Sequence, residues 1–173
     1  MIHKNFNKSL EKGSIGEAII KTMLEAKGWI IYQPSTEGAH AFDMLSIKDK
    51  KQCIAIDVKA KSRMNKYPAT GINQKHFENY AYFSENHNMP FWLFFVDEMQ
   101  KEIYGNELQI LEEKRILDGI EYPKIINASN NQQIRLYPLE AMKHIAYLSD
   151  ADVQKLKDLS QRSYEYKPKD AES

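Results

Sequence analysis

Apolar side chains recur at helical spacing near the start of the chain. The repeat predicts a helix over residues 9–27 with one apolar face. Gly28 comes directly after the last apolar turn, and glycine is the residue that most often ends a helix. The apolar positions are Ile15, Ile19, Ile20, Met23 and Leu24.

Four runs rich in β-branched and aromatic residues follow and predict strands. They cover residues 29–32, 42–47, 52–60 and 91–96. A charged turn at 48–51 joins the second run to the third, which indicates a β-hairpin. The last run, FWLFFV, is apolar throughout, as is typical of a central strand covered on both faces. Between these runs, Asn73 predicts the N-cap of a helix that extends to about residue 86.

The pattern is weaker after Asp97. It predicts strands at 102–104 and 133–137, a helical turn at 110–117, and helices at 139–148 and 152–161. The order of elements predicts an α/β fold, a three-layer sandwich around a central mixed β-sheet. We expect a single domain over residues 1–165, with a core at 9–97, a helical extension at 138–162 and a flexible tail at 166–173.

The amino-acid composition mainly excludes some classes of protein. The 173 residues include 24 basic and 24 acidic side chains. This balance argues against a surface that is basic throughout and binds nucleic acid in general, but it allows a local basic patch. The single cysteine, Cys53, excludes an internal disulfide and fits a reducing compartment. No apolar leader or membrane-length apolar run is visible, and we therefore expect a cytoplasmic protein without membrane contact.

Charged residues end the third predicted strand, in the stretch AIDVKAK. Alternate side chains of a strand share a face, so Asp57 and Lys59 point the same way, with Cα atoms roughly 6.5–7 Å apart. If the hairpin pairs as predicted, Asp43 lies at the same end of the neighbouring strand. Two carboxylates in a partly dry site repel each other, and a hard cation such as Mg²⁺ relieves that repulsion.

A third acid has two candidates. Glu17 falls at the edge of the apolar face of the first helix, about 20° from Leu24 on a helical wheel. Gly13 and Gly16 beside it would permit close backbone approach. The alternative for Glu17 is an acid of the first helical turn that complements the helix dipole. Glu37, in the loop before Asp43, is the second candidate.

The ordered set Glu17, Asp43, Asp57, Lys59 resembles the pattern of the PD-(D/E)xK phosphodiesterase superfamily, which includes restriction endonucleases and archaeal Holliday-junction resolvases. That pattern is a helical Glu, an Asp at a strand, and then Asp or Glu, a hydrophobic residue and Lys on the next strand. The segment KGSIGEAIIKTMLEAKGW looks like the resolvase-type first helix, and KYPATGINQKHFENY is similar to phage-like nucleases. The resemblance covers roughly residues 12–96 and implies a restriction-endonuclease-like α-β-β-β-α-β core.

The resemblance also implies a chemistry, that of a metal-dependent endonuclease hydrolysing phosphodiester bonds, with DNA as the expected substrate. Mg²⁺, for which Mn²⁺ is expected to substitute, would be held by Asp43, Asp57, Glu17 and the backbone carbonyl of Val58. Lys59 would act on the attacking water and the phosphate. A residue of the following helix, Gln74 or Tyr80, would add to the site.

The segment VKAKSRMNK follows the proposed site and contains no acidic residue. We expect Lys61, Arg63 and Lys66 to contact the phosphate backbone, which would make binding dependent on salt. Tyr67 either stacks on a base or packs the loop.

Two other interpretations stay open from sequence alone. One is a nucleic-acid-binding domain on the same fold that has no catalytic activity. The other is a small α/β protein-interaction domain in which AIDVKAK is only a strand exit. The sequence leaves open DNA against RNA and the form of the substrate, and a homodimer would supply the two sites that cutting both strands requires.

Overall fold

The computed structural model describes residues 2–34, 40–49, 52–64, 66–128 and 131–160, with side chains described from residue 7. The helices are α1 (Ile2–Ala26), α2 (Gln74–His87), α3 (Leu108–Leu111) and α4 (Asp150–Leu159), and Leu139–Ala141 form one turn of 3₁₀ helix. The strands are β1 (Ile30–Tyr32), β2 (Met44–Lys48), β3 (Gln52–Ala60), β4 (Ala69–Asn73), β5 (Phe91–Asp97), β6 (Glu102–Glu107), β7 (Arg115–Leu117), β8 (Ile120–Tyr122), β9 (Lys124–Asn127), β10 (Gln133–Pro138) and β11 (Lys143–Tyr147).

The main sheet has six strands in the order β1-β2-β3-β5-β6-β11. Only β3 and β5 run parallel, and the other neighbours are antiparallel, so the sheet is mixed as predicted. The predicted hairpin is β2–β3, with Leu45 opposite Ala55. Strand β5 is central, since Phe94 and Val96 enter one core cluster and Leu93 and Phe95 enter the other.

Helices cover both faces of this sheet and make the three layers. On one face, α1 and α4 pack against Ile56 and Val58 of β3. On the other face, α2 and α3 cover the sheet together with a second sheet of strands β4-β10-β9. A separate hairpin, β7–β8, packs beside this second sheet. The predicted α/β sandwich is confirmed.

Helix α1 docks on the carboxyl end of β3 through a glycine. A Cβ placed on Gly16 would lie 2.9 Å from the Cβ of Ala60, so only glycine permits this approach of helix to strand. Gly13 has nothing within 4 Å of such a Cβ, and the expectation that it also permits close approach is wrong. Gly28 ends the helix in the left-handed region (φ +83°), as its position in the sequence predicted.

Two sequence predictions fail after β6. Residues 139–148 form a 3₁₀ turn and strand β11 rather than a helix, so the predicted extension is only partly helical. A bulge between His144 and Ala146 shifts the register of β11 against β6, which breaks the alternation that marks a strand in sequence. The predicted helical turn at 110–117 divides into α3 and β7.

Strand β4 was not predicted, because its residues fall in a basic, irregular-looking segment. It extends the second sheet by pairing with β10, and Asn73 then caps α2 by accepting the N–H of Lys75 at 2.9 Å, as predicted. The expected tail at 166–173 lies outside the described residues. Within the described part of the chain, no helix has the length and apolar character that a membrane span requires.

Candidate active site

A buried carboxylate stands at the carboxyl end of β3. Asp57 is only 4% exposed, and the ammonium of Lys59 lies 2.6 Å from its Oδ2 atom. The hydroxyl of Tyr80, on α2, donates to Oδ1 at 2.6 Å. Among the described residues Oδ2 has no aligned hydrogen-bond donor, so its contact with Lys59 is an ion pair. The predicted shared face of Asp57 and Lys59 is confirmed.

Asp43 lies beside Asp57, immediately before β2. Its N–H donates to the carbonyl of Ile56 at 2.9 Å, and its Oδ2 accepts the N–H of Val58 at 2.7 Å. These two bonds hold the side chain against the end of β3. Burial first, and the charge of Asp57 second, raise the pKa of Asp43 to about 7, although the Val58 bond and Lys59 oppose the shift. At neutral pH the negative charge of the carboxylates around Asp43 therefore exceeds the single positive charge of Lys59.

Glu17 lies on α1, in the layer on the other side of the sheet from α2. Because Gly16 seats α1 against Ala60, Glu17 lies near the end of β3 and is partly buried. Burial and the charge of Asp57 raise its pKa, and Lys59 opposes that shift. Helix α1 begins at Ile2, so Glu17 is far from its first turn and the helix-dipole explanation is wrong.

The acids do not form a ready-made cluster of three. In the described ranges, no three histidine, cysteine, aspartate or glutamate side chains lie close enough together to hold a metal ion. Asp43 and Asp57 form the inner pair, and Glu17 acts on them electrostatically. The other candidate, Glu37, lies outside the described residues.

Helix α2 supplies the other wall of the site. Of the two residues expected there, Tyr80 contacts Asp57, whereas the amide of Gln74 donates to Glu78 at 3.2 Å. Burial and the charge of Asp57 raise the pKa of Tyr80, which keeps its hydroxyl protonated as a donor. The structure thus brings Tyr80 to the carboxylates, and a catalytic role of Gln74 stays a prediction.

His76 lies on α2 beside Tyr80, and the sequence pattern did not place it near the candidate site. It precedes Tyr80 by one helical turn, and the two ring centroids are 6.1 Å apart. Partial burial lowers the pKa of His76, the positive charge of Lys59 adds to that effect, and the negative charge of Asp57 opposes it. The signal in the sequence was its four-residue spacing from Tyr80, which is informative only once α2 is known to face β3.

In the basic segment after β3, Lys61 and Arg63 make contacts within the protein that the sequence did not predict. Lys61 donates from Nζ to the carbonyl of Gly71 on β4. Arg63 forms ion pairs with Asp97 and Glu102, and its guanidinium lies 4.9 Å from the centroid of the Tyr104 ring. These contacts give Arg63 a structural role, and its expected phosphate contact stays a prediction.

The other two residues of the segment differ from each other. Lys66 is exposed, as a phosphate contact requires. Tyr67 packs against the cluster around Tyr122 and Leu136, and Lys124 Nζ lies 5.1 Å from its ring centroid. Tyr67 thus packs the loop, and its stacking on a base stays a prediction.

Comparisons with known proteins add two similar folds. No protein-family model and no curated protein matches the sequence. Among solved structures, the chain is similar to the Holliday junction resolvase Hjc of Archaeoglobus fulgidus, with 14% identity, 71% of this chain and 88% of that chain covered, and a TM-score of 0.47. It is also similar to a nuclease from a fusselovirus, with 12% identity, 83% and 87% covered, and a TM-score of 0.44.

Proposed function

We propose that the protein is a divalent-metal-dependent nuclease that hydrolyses phosphodiester bonds, with DNA as its substrate. The observation that carries the proposal is the placement of Asp43 and Asp57 side by side at the end of β3, with Lys59 ion-paired to Asp57. The order of these residues in the sequence, which resembles the PD-(D/E)xK pattern, supports it independently.

The donor set fits a hard divalent cation. Burial and the negative charge of Asp57 raise the pKa of Asp43 to about 7, and a cation between Asp43 and Asp57 would offset both effects. Mg²⁺ commonly takes one or two carboxylates and keeps several waters, which suits a pair rather than a cluster of three. The carbonyl of Val58 would add a ligand, and Glu17 would act from the outer shell or hold a second ion.

The chain's own residues divide the remaining work. A bound Mg²⁺ or Mn²⁺ supplies polarisation of a phosphate oxygen and a lowered pKa of coordinated water. Tyr80 fixes the orientation of Asp57 by donating to Oδ1, which leaves Oδ2 on the side of Lys59. Lys59, once its ammonium turns from Asp57 to the substrate, donates to the phosphate and orients the attacking water, and so offsets negative charge that develops in the transition state.

Substrate binding would extend from this site along the protein surface. Lys61 and Lys66 follow β3 directly and are the proposed contacts to the phosphate backbone, which makes binding weaker at high salt. A homodimer would carry two such sites, as cleavage of both strands of a duplex or a junction requires.

Cleavage assays with matched variants test the proposal. Single-stranded, duplex and four-way-junction DNA are incubated with the protein in Mg²⁺, in Mn²⁺ and in EDTA, beside Asp57→Ala and Lys59→Ala. We expect cutting of at least one substrate that requires metal and falls at least a hundredfold in both variants, since removal of a charged transition-state partner costs about 2.7 kcal/mol or more. Cutting that persists in EDTA or in Asp57→Ala would contradict the proposal, and salt-sensitive binding without cutting would favour a non-catalytic domain.

A further inference from the structure

A cavity lies beside the start of α2, where the end of β4 meets strands β9 and β10. This amide cavity has a volume of about 570 Å³. Strand pairing assembles it, because Asn73 lies opposite Ile134 on β10 and Gln133 lies opposite Asn127 on β9. Its lining includes six amide side chains, namely Asn73, Gln74, Asn127, Asn131, Gln132 and Gln133.

The charge of this lining selects against most classes of ligand. Besides the amides it includes one cation, Lys75, and one anion, Glu78, which cancel. A phosphate site would need an excess of cations, and a metal site would need several carboxylates. The described lining has no aliphatic or aromatic side chain, so an apolar ligand gains nothing there. What remains is a neutral group that both donates and accepts hydrogen bonds.

One wall of the cavity has an acceptor atom that meets no hydrogen-bond donor among the described residues. Gln74 donates from Nε2 to Glu78 at 3.2 Å, while its Oε1 atom is buried and has no partner in the described part of the chain. The carboxylate of Glu78 beside it is a further acceptor. An amino group on the ligand would supply the donor that Gln74 Oε1 lacks.

We propose that the amide cavity binds the edge of a nucleobase and prefers adenine or cytosine. Adenine presents its N6 amino group and N7 acceptor to asparagine or glutamine, and cytosine presents its N4 amino group to a carboxylate. Guanine and thymine present carbonyl oxygens at the same positions and leave Gln74 Oε1 without a donor. This inference rests on the proposed function, which supplies a nucleic acid as the ligand.

The position of the cavity relates the recognised base to the cleaved bond. Tyr80, which contacts Asp57, follows Gln74 by six residues of α2, or about 9 Å along the helix axis. Nucleotides in a helical strand advance about 3.4 Å each. Six residues also turn the helix by about 240°, so this rise is a lower limit, and the recognised base lies at least about two nucleotides from the phosphate at Asp57.

Selection from a pool of random oligonucleotides tests this inference. The protein is incubated with the pool in EDTA, and the bound fraction is sequenced for the wild type and for the double variant Asn127→Ala/Gln133→Ala, whose two side chains are exposed. The control, Asn86→Ala/Gln154→Ala, removes one asparagine and one glutamine amide outside the cavity. We expect at least threefold enrichment of adenine or cytosine at one position, retained in the control and lost in the cavity variant.

A second variant guards against a misfolded first one. Asn131 has a left-handed backbone (φ 60°), which glycine adopts freely, so Asn131→Gly removes a cavity amide without strain. We expect it to weaken the same preference. An absence of binding, an absence of base preference, a preference for guanine or thymine, or a preference that survives in both cavity variants would overturn the inference.

The two proposals fail separately. Cutting in Mg²⁺ without any base preference in the selection would overturn the amide cavity and leave the nuclease intact. A base preference in EDTA, followed by no cutting when Mg²⁺ or Mn²⁺ is added, would overturn the nuclease and leave the cavity as a binding site.

Discussion

At the scale of single residues, the site is an excess of negative charge held in place by hydrogen bonds. Asp57 is fixed by Tyr80, and Asp43 is fixed by the N–H of Val58, so neither carboxylate relieves the repulsion by moving apart. Among the described ion pairs, the cation that contacts these carboxylates is Lys59, which pairs with Asp57. Such a pair of carboxylates costs stability when both are charged, and a bound divalent cation reverses that cost.

The substitution Asp43→Asn should reveal this cost in metal-free protein. The folded-state pKa of Asp43 is about 7 against an ordinary value of 3.8, so between these pH values the folded chain holds a proton that the unfolded chain releases. The free energy of unfolding of the wild type therefore falls as pH rises from about 4 to about 7. Asparagine removes that slope and stabilises the protein above pH 7 by roughly 2–4 kcal/mol.

Urea denaturation in EDTA between pH 4 and pH 8 measures the effect. The variant should show the flatter dependence, and at pH 8 it should be the more stable protein. An identical pH dependence in both proteins would mean that burial and the charge of Asp57 do not raise the pKa of Asp43.

Residue positions were predictable to the extent that they depend on local periodicity. The two-residue period of a strand places Asp57 and Lys59 on one face, and the hairpin places Asp43 beside them. His76 and the cation–π and ion-pair contacts of Arg63 depend on how α2, β5 and β6 pack, which no local pattern contains.

At the scale of elements, the contact between α1 and β3 determines where Glu17 lies. A Cβ at Gly16 would meet Ala60 at 2.9 Å, whereas a Cβ at Gly13, one turn earlier, meets nothing within 4 Å. The two glycines of one helix thus form a matched pair, one in a tight contact and one in open space.

Replacing each glycine with alanine should give opposite results. Gly13→Ala should raise the free energy of unfolding by roughly 0.5–1 kcal/mol, because alanine favours the helix, and should leave cutting unchanged. Gly16→Ala overpacks the contact at a cost of roughly 1–3 kcal/mol and moves Glu17 away from the site, so cutting should fall about tenfold. Urea denaturation and a cleavage rate measure both effects, and equal behaviour of the two variants would refute this role of Gly16.

Elements with a regular period were predicted well, and those with an interrupted period were not. Strand β3 has its predicted bounds, and Asn73 caps α2. Strand β11 failed because its bulge produces apolar spacings that resemble a helix. Strand β4 failed because it lies in a basic, irregular-looking segment and is defined by its pairing with β10, some sixty residues later in the chain.

At the scale of the whole molecule, the site lies where three layers meet. Helix α1 contributes Glu17 from one side, the sheet contributes Asp43, Asp57 and Lys59, and α2 contributes Tyr80 from the other side. A buried ion pair ties the first two layers together, since Lys12 Nζ on α1 lies 2.6 Å from the fully buried Glu98, which follows β5. Breaking such a pair leaves an uncompensated buried charge, so the pair maintains this arrangement.

We propose that Asp57 and Lys59 have different roles, in which Asp57 holds the cation and Lys59 acts on the substrate. Calorimetric titration with Mn²⁺ at pH 8, where Asp43 is charged, tests it on the wild type, Lys59→Ala and Asp57→Ala. Lys59→Ala should bind Mn²⁺ at least as tightly as the wild type, because it loses a competing positive charge. Asp57→Ala should bind at least tenfold more weakly. Binding by Asp57→Ala that equals the wild type, or binding that requires Lys59, would contradict the account.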